Sequence, residues 1–105
     1  MILLDILTQN DIFVLKNIID KNDKTKGRVK TNGTTVKEIQ IKTNLSDRKI
    51  RNSIQMFLDK GCVVYGISNG KSKTYCITSS GIEILLNINK DVIELEGLKE
   101  EEDYE

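Results

Sequence analysis

The chain has no histidine, no proline, no tryptophan and only two cysteines in 105 residues. Without histidine there is no Ser-His-Asp or Cys-His pair, no imidazole metal ligand and no Cys₂His₂ finger. Two cysteines build neither a Cys₄ metal site nor a disulfide scaffold. Apolar runs such as Ile2-Leu3-Leu4 are short, whereas a membrane-spanning helix needs about 20 predominantly apolar residues. Asp5 interrupts the apolar start, and no basic residue precedes it, so the N-terminus does not read as an export signal. The expectation is a cytoplasmic protein whose Cys62 and Cys76 are reduced thiols within strand-like runs. Carboxylates are plentiful, but their spacing suggests neither an acid–base pair nor a metal cluster outside the C-terminal acids. Neither an enzyme nor a cofactor is expected.

What is present is one domain's worth of chain with a zero net charge, 16 basic against 16 acidic side chains. The balance conceals an asymmetry. Residues 24–73 hold twelve basic side chains against Glu38, Asp47 and Asp59, a surplus of nine; residues 74–105 hold Lys90 and Lys99 against nine acids. Distant acids do not cancel a local field beyond a Debye length of about 8 Å, so the central segment is a candidate footprint for a polyanion. The expected organisation is a domain over residues 1–95 and an acidic, disordered tail over 96–105.

Capping patterns mark the helices. Thr8 with Asp11 opens a helix expected over about residues 9–22, with Ile12, Leu15, Ile18 and Ile19 at helical spacing and Phe13 widening the stripe. The segment from Asp23 to Gly33 is polar and basic and reads as a loop. Thr35 and Glu38 form a T-x-x-E box opening a short helix, in which Val36, Ile39 and Ile41 are the candidates to face inward. Ser46 caps the next helix, with Leu45 and Ile50 as a hydrophobic staple, and Gly61 stops it after Lys60. Two helices so close together have helix–turn–helix spacing. Cys62–Tyr65 and Thr74–Thr78 then form a hairpin around Asn69-Gly70. A last helix opens after Ser79 or Ser80. Gly66 to Ser72 superficially resembles a phosphate loop, but only three residues separate its glycines and a strand follows where a helix is required.

The third helix carries the chemistry. With Ile50 at zero and about 100° per residue, Ile54, Phe57 and Leu58 share its buried side. Arg48, Lys49, Asn52 and Gln55 fall opposite, with Arg51 on the flank. Arg reads guanine with a fork of donors, and Asn or Gln pairs with adenine. Ser46 joins this helix set as its cap. The hairpin adds Asn69, Lys71 and Lys73, and the basic loop adds Lys24, Lys26, Arg28 and Lys30 as phosphate contacts.

Thr35 to Gly61 followed by a hairpin, and Gly70-Lys-Ser-Lys-Thr-Tyr75-Cys-Ile-Thr-Ser-Ser-Gly81-Ile-Glu-Ile84 after it, resemble the winged helix–turn–helix superfamily. The basic wing, aromatic return strand and polar-Gly helix start are similar to MarR- and PadR-type regulators and most similar to TubR-type partition adaptors. The resemblance implies an α+β, mainly α fold with a two-stranded wing. It implies double-stranded DNA as partner, at repeated or palindromic sites, and recruitment of a tubulin-like GTPase. A small transcriptional repressor and a winged-helix protein-interaction module without DNA binding are the alternatives. The last helix is apolar on two sides: Ile82, Leu85, Leu86 and Ile93 form one stripe, and Ile84, Ile88 and Leu95 the other. The second stripe, with Ile2, Leu3 and Leu4, is the candidate homodimer interface.

Overall fold

Three helices begin where a hydroxyl oxygen can satisfy N–H groups left open in the first turn. The computed structural model describes residues 7–68 and 70–88. In it Thr8 and Asp11 form a reciprocal capping box at the start of α1 (Gln9–Lys16), and Thr35 and Glu38 form another at α2 (Val36–Thr43). Ser46 Oγ accepts from the Lys49 N–H at the start of α3 (Asp47–Asp59). Gly61, at φ 77°, ends α3 in the left-handed conformation that favours glycine. Asn44 takes the same conformation, at φ 63°, in the turn between α2 and α3. Strands β1 (Val63–Tyr65) and β2 (Tyr75–Ile77) pair antiparallel, Val64 opposite Cys76. Helix α4 (Ser79–Ile88) follows, entered through Thr78, whose Oγ1 accepts from the Gly81 N–H. The cap is therefore one residue earlier than the serines suggested.

Both α1 and α2 pack on α3, and α4 packs on α1 and β2. Leu15, Ile18, Ile39, Ile50, Ile54, Phe57 and Leu85 are buried at the centre. Burying one such side chain is worth about 1.5–3 kcal/mol. Cys62 and Cys76 are free and buried. Ile41 is 74 % exposed, which corrects its inward placement. Val36, Ile39 and Thr43 already fill the inward side of α2, and Ile41 points away from it.

The segment after α1 departs most from expectation. Helix α1 stops at Lys16, six residues early, where the Asn17 side-chain amide donates to the Phe13 carbonyl. The chain then turns so that the Ile18 carbonyl accepts from Thr34 Oγ1 at 2.5 Å. Gly27, at φ 72°, lies so close to that carbonyl that a Cβ would collide with it. The Asp23–Gly33 loop is a built element tied to the sheet. The Ile77 N–H donates to the Gly27 carbonyl, and Thr34 exchanges two backbone hydrogen bonds with Tyr75 at 2.9 and 2.8 Å. Thr34 thus forms an isolated bridge to Tyr75 beside the two-stranded sheet.

The last helix is also divided differently. Ile84 and Leu85 are buried in the core, whereas Ile82 and Leu86 are half-buried at its edge. Ile84 is thus corrected from interface candidate to core residue. The Ile88 side chain, Ile2, Leu3, Leu4, Asn69, Leu95 and the acidic 96–105 segment lie outside the described residues. Among the described residues no helix is long and apolar enough to cross a membrane.

Candidate nucleic-acid interface

Helix α3 is fixed to α1 by one buried carboxylate. Asp11 accepts from Ser53 Oγ at 2.6 Å and from Lys49 Nζ at 3.0 Å through Oδ1, and from the Thr8 N–H at 3.1 Å through Oδ2. Burial pushes the Asp11 carboxyl up, but the Ser53, Thr8 and Lys49 hydrogen bonds outweigh it and hold its pKa below the usual 3.8. This network engages Lys49, expected on the outward face of α3, with α1.

The rest of α3's polar side faces outward, as its spacing predicts. Arg48, Arg51, Asn52 and Gln55 are exposed, and Ser46 is the exposed cap. Two of these side chains have intrahelical partners. Arg51 Nε donates to Asp47 Oδ2 at 2.7 Å, and Gln55 Nε2 donates to Asp59 Oδ1 at 3.0 Å. The Asp47 carboxylate raises the Arg51 pKa above its ordinary value.

Between α3, the start of α2 and the wing lies a groove of about 610 Å³. Arg51 and Gln55 line one wall with Asp47; Tyr65, Lys71 and Lys73 line the wing wall; Thr35, Lys37 and Gln40 close the α2 end. Tyr65 is 49 % exposed, and its ring lies 5.5 Å from that of Tyr75. Lys73 Nζ sits 5.6 Å from the Tyr65 ring centroid, a cation–π contact that steers the wing lysine toward the groove mouth. The neck of the wing is pinned by the Gly66 N–H donating to the Thr74 carbonyl and by Thr74 Oγ1 donating to the Ile67 carbonyl.

The basic loop runs beside this neck. The Lys30 carbonyl accepts from the Ile67 N–H at 2.8 Å, and Cys76 Sγ donates to the Val29 carbonyl. Lys24 and Lys30 are exposed and Arg28 is half-buried. Lys26, expected as a phosphate contact, has partners within the domain. Its Nζ pairs with Glu38 at 2.8 Å and donates to the Gly33 carbonyl, so it buttresses the α2 entrance. Burial raises the Glu38 pKa, but Lys26 and Thr35 more than offset that, leaving it below its ordinary value.

Sequence reasoning missed Thr35, Lys37, Gln40, Tyr65 and Asp47 as groove residues. Lys37 was the discoverable one: two positions after the Thr35 cap, it shares the exposed side of α2 with Gln40 and Ile41. Tyr65 needed the register, which sets it opposite Tyr75 at the base of the wing. Among the described residues no group of three or more Cys, Asp or Glu could hold a metal ion.

Three helices with a tight α2–α3 turn, a two-stranded wing and a closing helix constitute the winged helix–turn–helix fold. Solved structures share it. The DNA-binding TubR fragment from Clostridium botulinum is 29 % identical, with a TM-score of 0.60, over 78 % of this chain and 96 % of that one. MepR, a transcription regulator of the Staphylococcus aureus multidrug efflux pump MepA, is 14 % identical, with a TM-score of 0.65, over 93 % of this chain and 67 % of that one. The S. aureus MepR–DNA complex superimposes with a TM-score of 0.64 at 13 % identity, over 97 % of this chain and 74 % of that one. No protein-family model and no curated protein matches the chain.

Proposed function

We propose that this chain is a non-enzymatic, sequence-specific double-stranded DNA-binding protein that acts as a homodimer. The observation that carries the reading is the cationic groove between α3 and the wing, with Arg48, Arg51, Asn52 and Gln55 on the exposed side of the helix. A helix of this size fits the major groove. Arg48, Arg51, Asn52 and Gln55 read base edges, and Lys37, Lys71 and Lys73 contact phosphate on either side. Lys24, Arg28 and Lys30 extend the phosphate track along the neck of the wing. The dimer contact is placed on the half-buried edge of α4, at Ile82 and Leu86, together with the apolar N-terminal residues.

The particular role we propose is that of a centromere-binding adaptor in a DNA partition system, working with a tubulin-like GTPase. The support is the 29 % identity to a TubR fragment across nearly that fragment's whole length. A titration on duplex DNA flanking its own gene, at stated salt, tests both levels. Cooperative filling of tandem repeats supports partition; filling of one palindrome by two protomers makes the protein a repressor; no binding at low salt removes DNA from the account.

A further inference from the structure

Among the described residues, Asp47 is the one acidic side chain that lines the groove. Asp47 is a carboxylate in a wall that a polyanion would enter, facing a wing that supplies Lys71 and Lys73. It opposes phosphate approach there, and an exposed pair spaced i,i+4 adds little to fold stability. Its place in the first turn of α3 suits a carboxylate on its own account, and from there it also reaches Arg51. The 2.7 Å hydrogen bond uses Arg51 Nε alone. The two terminal Nη groups are no part of that bond, and they are the donors that form a fork against guanine O6 and N7. A guanidinium held at Nε, even by an exposed pair, spends more of its time in one orientation, which lowers the ordering cost of binding. Asp59 holds Gln55 one turn further along in the same manner, at 3.0 Å.

We propose that Asp47 is a specificity-determining positioning residue: it holds Arg51 so that its guanidinium fork meets a guanine in the major groove beneath the wing. The inference rests on the DNA-reading proposal and names a base that the site requires. The target therefore contains a G·C pair whose identity is read by Arg51 and enforced by Asp47. As a cost of this arrangement, Asp47 weakens binding to DNA of arbitrary sequence.

The test is selection of binding sites from a randomised duplex library by the full chain and by Asp47→Ala, Asp47→Asn, Arg51→Ala and Arg51→Lys. Titrations on the selected duplex and on a scrambled duplex at one salt concentration follow. The wild type should select a site with a fixed guanine. Arg51→Lys keeps the charge but not the fork, and should lose that guanine preference by about 10-fold or more. Asp47→Ala should lose preference at the same position while binding the scrambled duplex more tightly than wild type does. Asp47→Asn should fall between the two. In the Arg51→Ala background, removing Asp47 should change discrimination no further. Asp47→Ala and Asp47→Asn lose the same first-turn charge, so thermal midpoints lowered by no more than about a few degrees, and equally in both, separate positioning from folding. If Asp47→Ala keeps the guanine preference, or tightens binding to both duplexes equally, Asp47 acts through charge alone and the inference is overturned. If the wild type selects a site but Arg51→Lys selects the same one, DNA reading stands and this inference fails. If the wild type selects no sequence, the DNA-reading proposal fails and the inference goes with it.

Discussion

Replacing Asp11 by alanine should destabilise the domain by about 3 kcal/mol. Three donors lose their acceptor: Ser53 Oγ, Lys49 Nζ and the Thr8 N–H. Ser53 is only 1 % exposed, so water cannot readily replace the carboxylate. A buried donor left unsatisfied costs about 1–3 kcal/mol, and the reciprocal half of the α1 capping box is lost, although Thr8 Oγ1 still accepts from the residue 11 N–H. The half-exposed Lys49 partly recovers by reaching solvent, which keeps the total near the middle of the range. Urea unfolding at neutral pH would show the midpoint falling by about 1–3 M with the slope unchanged. The pH dependence gives a second signature. The folded-state pKa of Asp11 lies below 3.8, so the unfolded chain takes up its proton first as pH falls. The stabilisation is complete above the unfolded value and is lost as pH drops through the folded one. The stability gap between wild type and Asp11→Ala should therefore be constant from neutral pH to about 5 and close below 3.8. A loss under 0.5 kcal/mol, or a gap that widens as pH falls below 3.8, would refute the reasoning.

Asn52→Ala should cost about 1–3 kcal/mol on the preferred duplex and relax base preference at one position, while Lys71→Ala should weaken all duplexes alike and lower the salt slope by about 1; parallel titrations distinguish the two. Gly27→Ala combines a φ of 72° with a collision against the Ile18 carbonyl, so thermal unfolding should show a loss above about 1 kcal/mol, greater than at an exposed Gly70→Ala. Burial pushes both the Cys62 and the Cys76 thiol up. Alkylation at pH 8 should therefore be slow, and its rate should rise with urea in step with unfolding.

Legibility in the sequence followed the locality of the interaction. Thr8-Asp11, Thr35-Glu38 and Ser46 announce α1, α2 and α3 because a cap is a contact over three residues, and Gly61 marks the end of α3 for the same reason. The exposed side of α3 was legible from one helical period. The early end of α1 was not, because it depends on Thr34 reaching the Ile18 carbonyl sixteen residues away. The ion pairs of Lys49 and Lys26 were not legible either. Periodicity locates a Cβ, but a lysine head travels several ångströms from it and is captured by whichever carboxylate lies nearest, Asp11 and Glu38 here. The groove's Tyr65 and Lys37 come from elements whose relative placement only the assembled sheet and helix pair define. The bridge at Thr34 involves a single residue and has no period to detect.

The central claim is that the face between α3 and the wing reads double-stranded DNA. The most direct measurement is a titration of the full chain against duplex DNA flanking its own gene and against a scrambled duplex, repeated over several salt concentrations. The account predicts preference for the native duplex, filling in steps of two protomers, and affinity that falls steeply with salt. Equal affinity for both duplexes, or no binding at low salt, would contradict it.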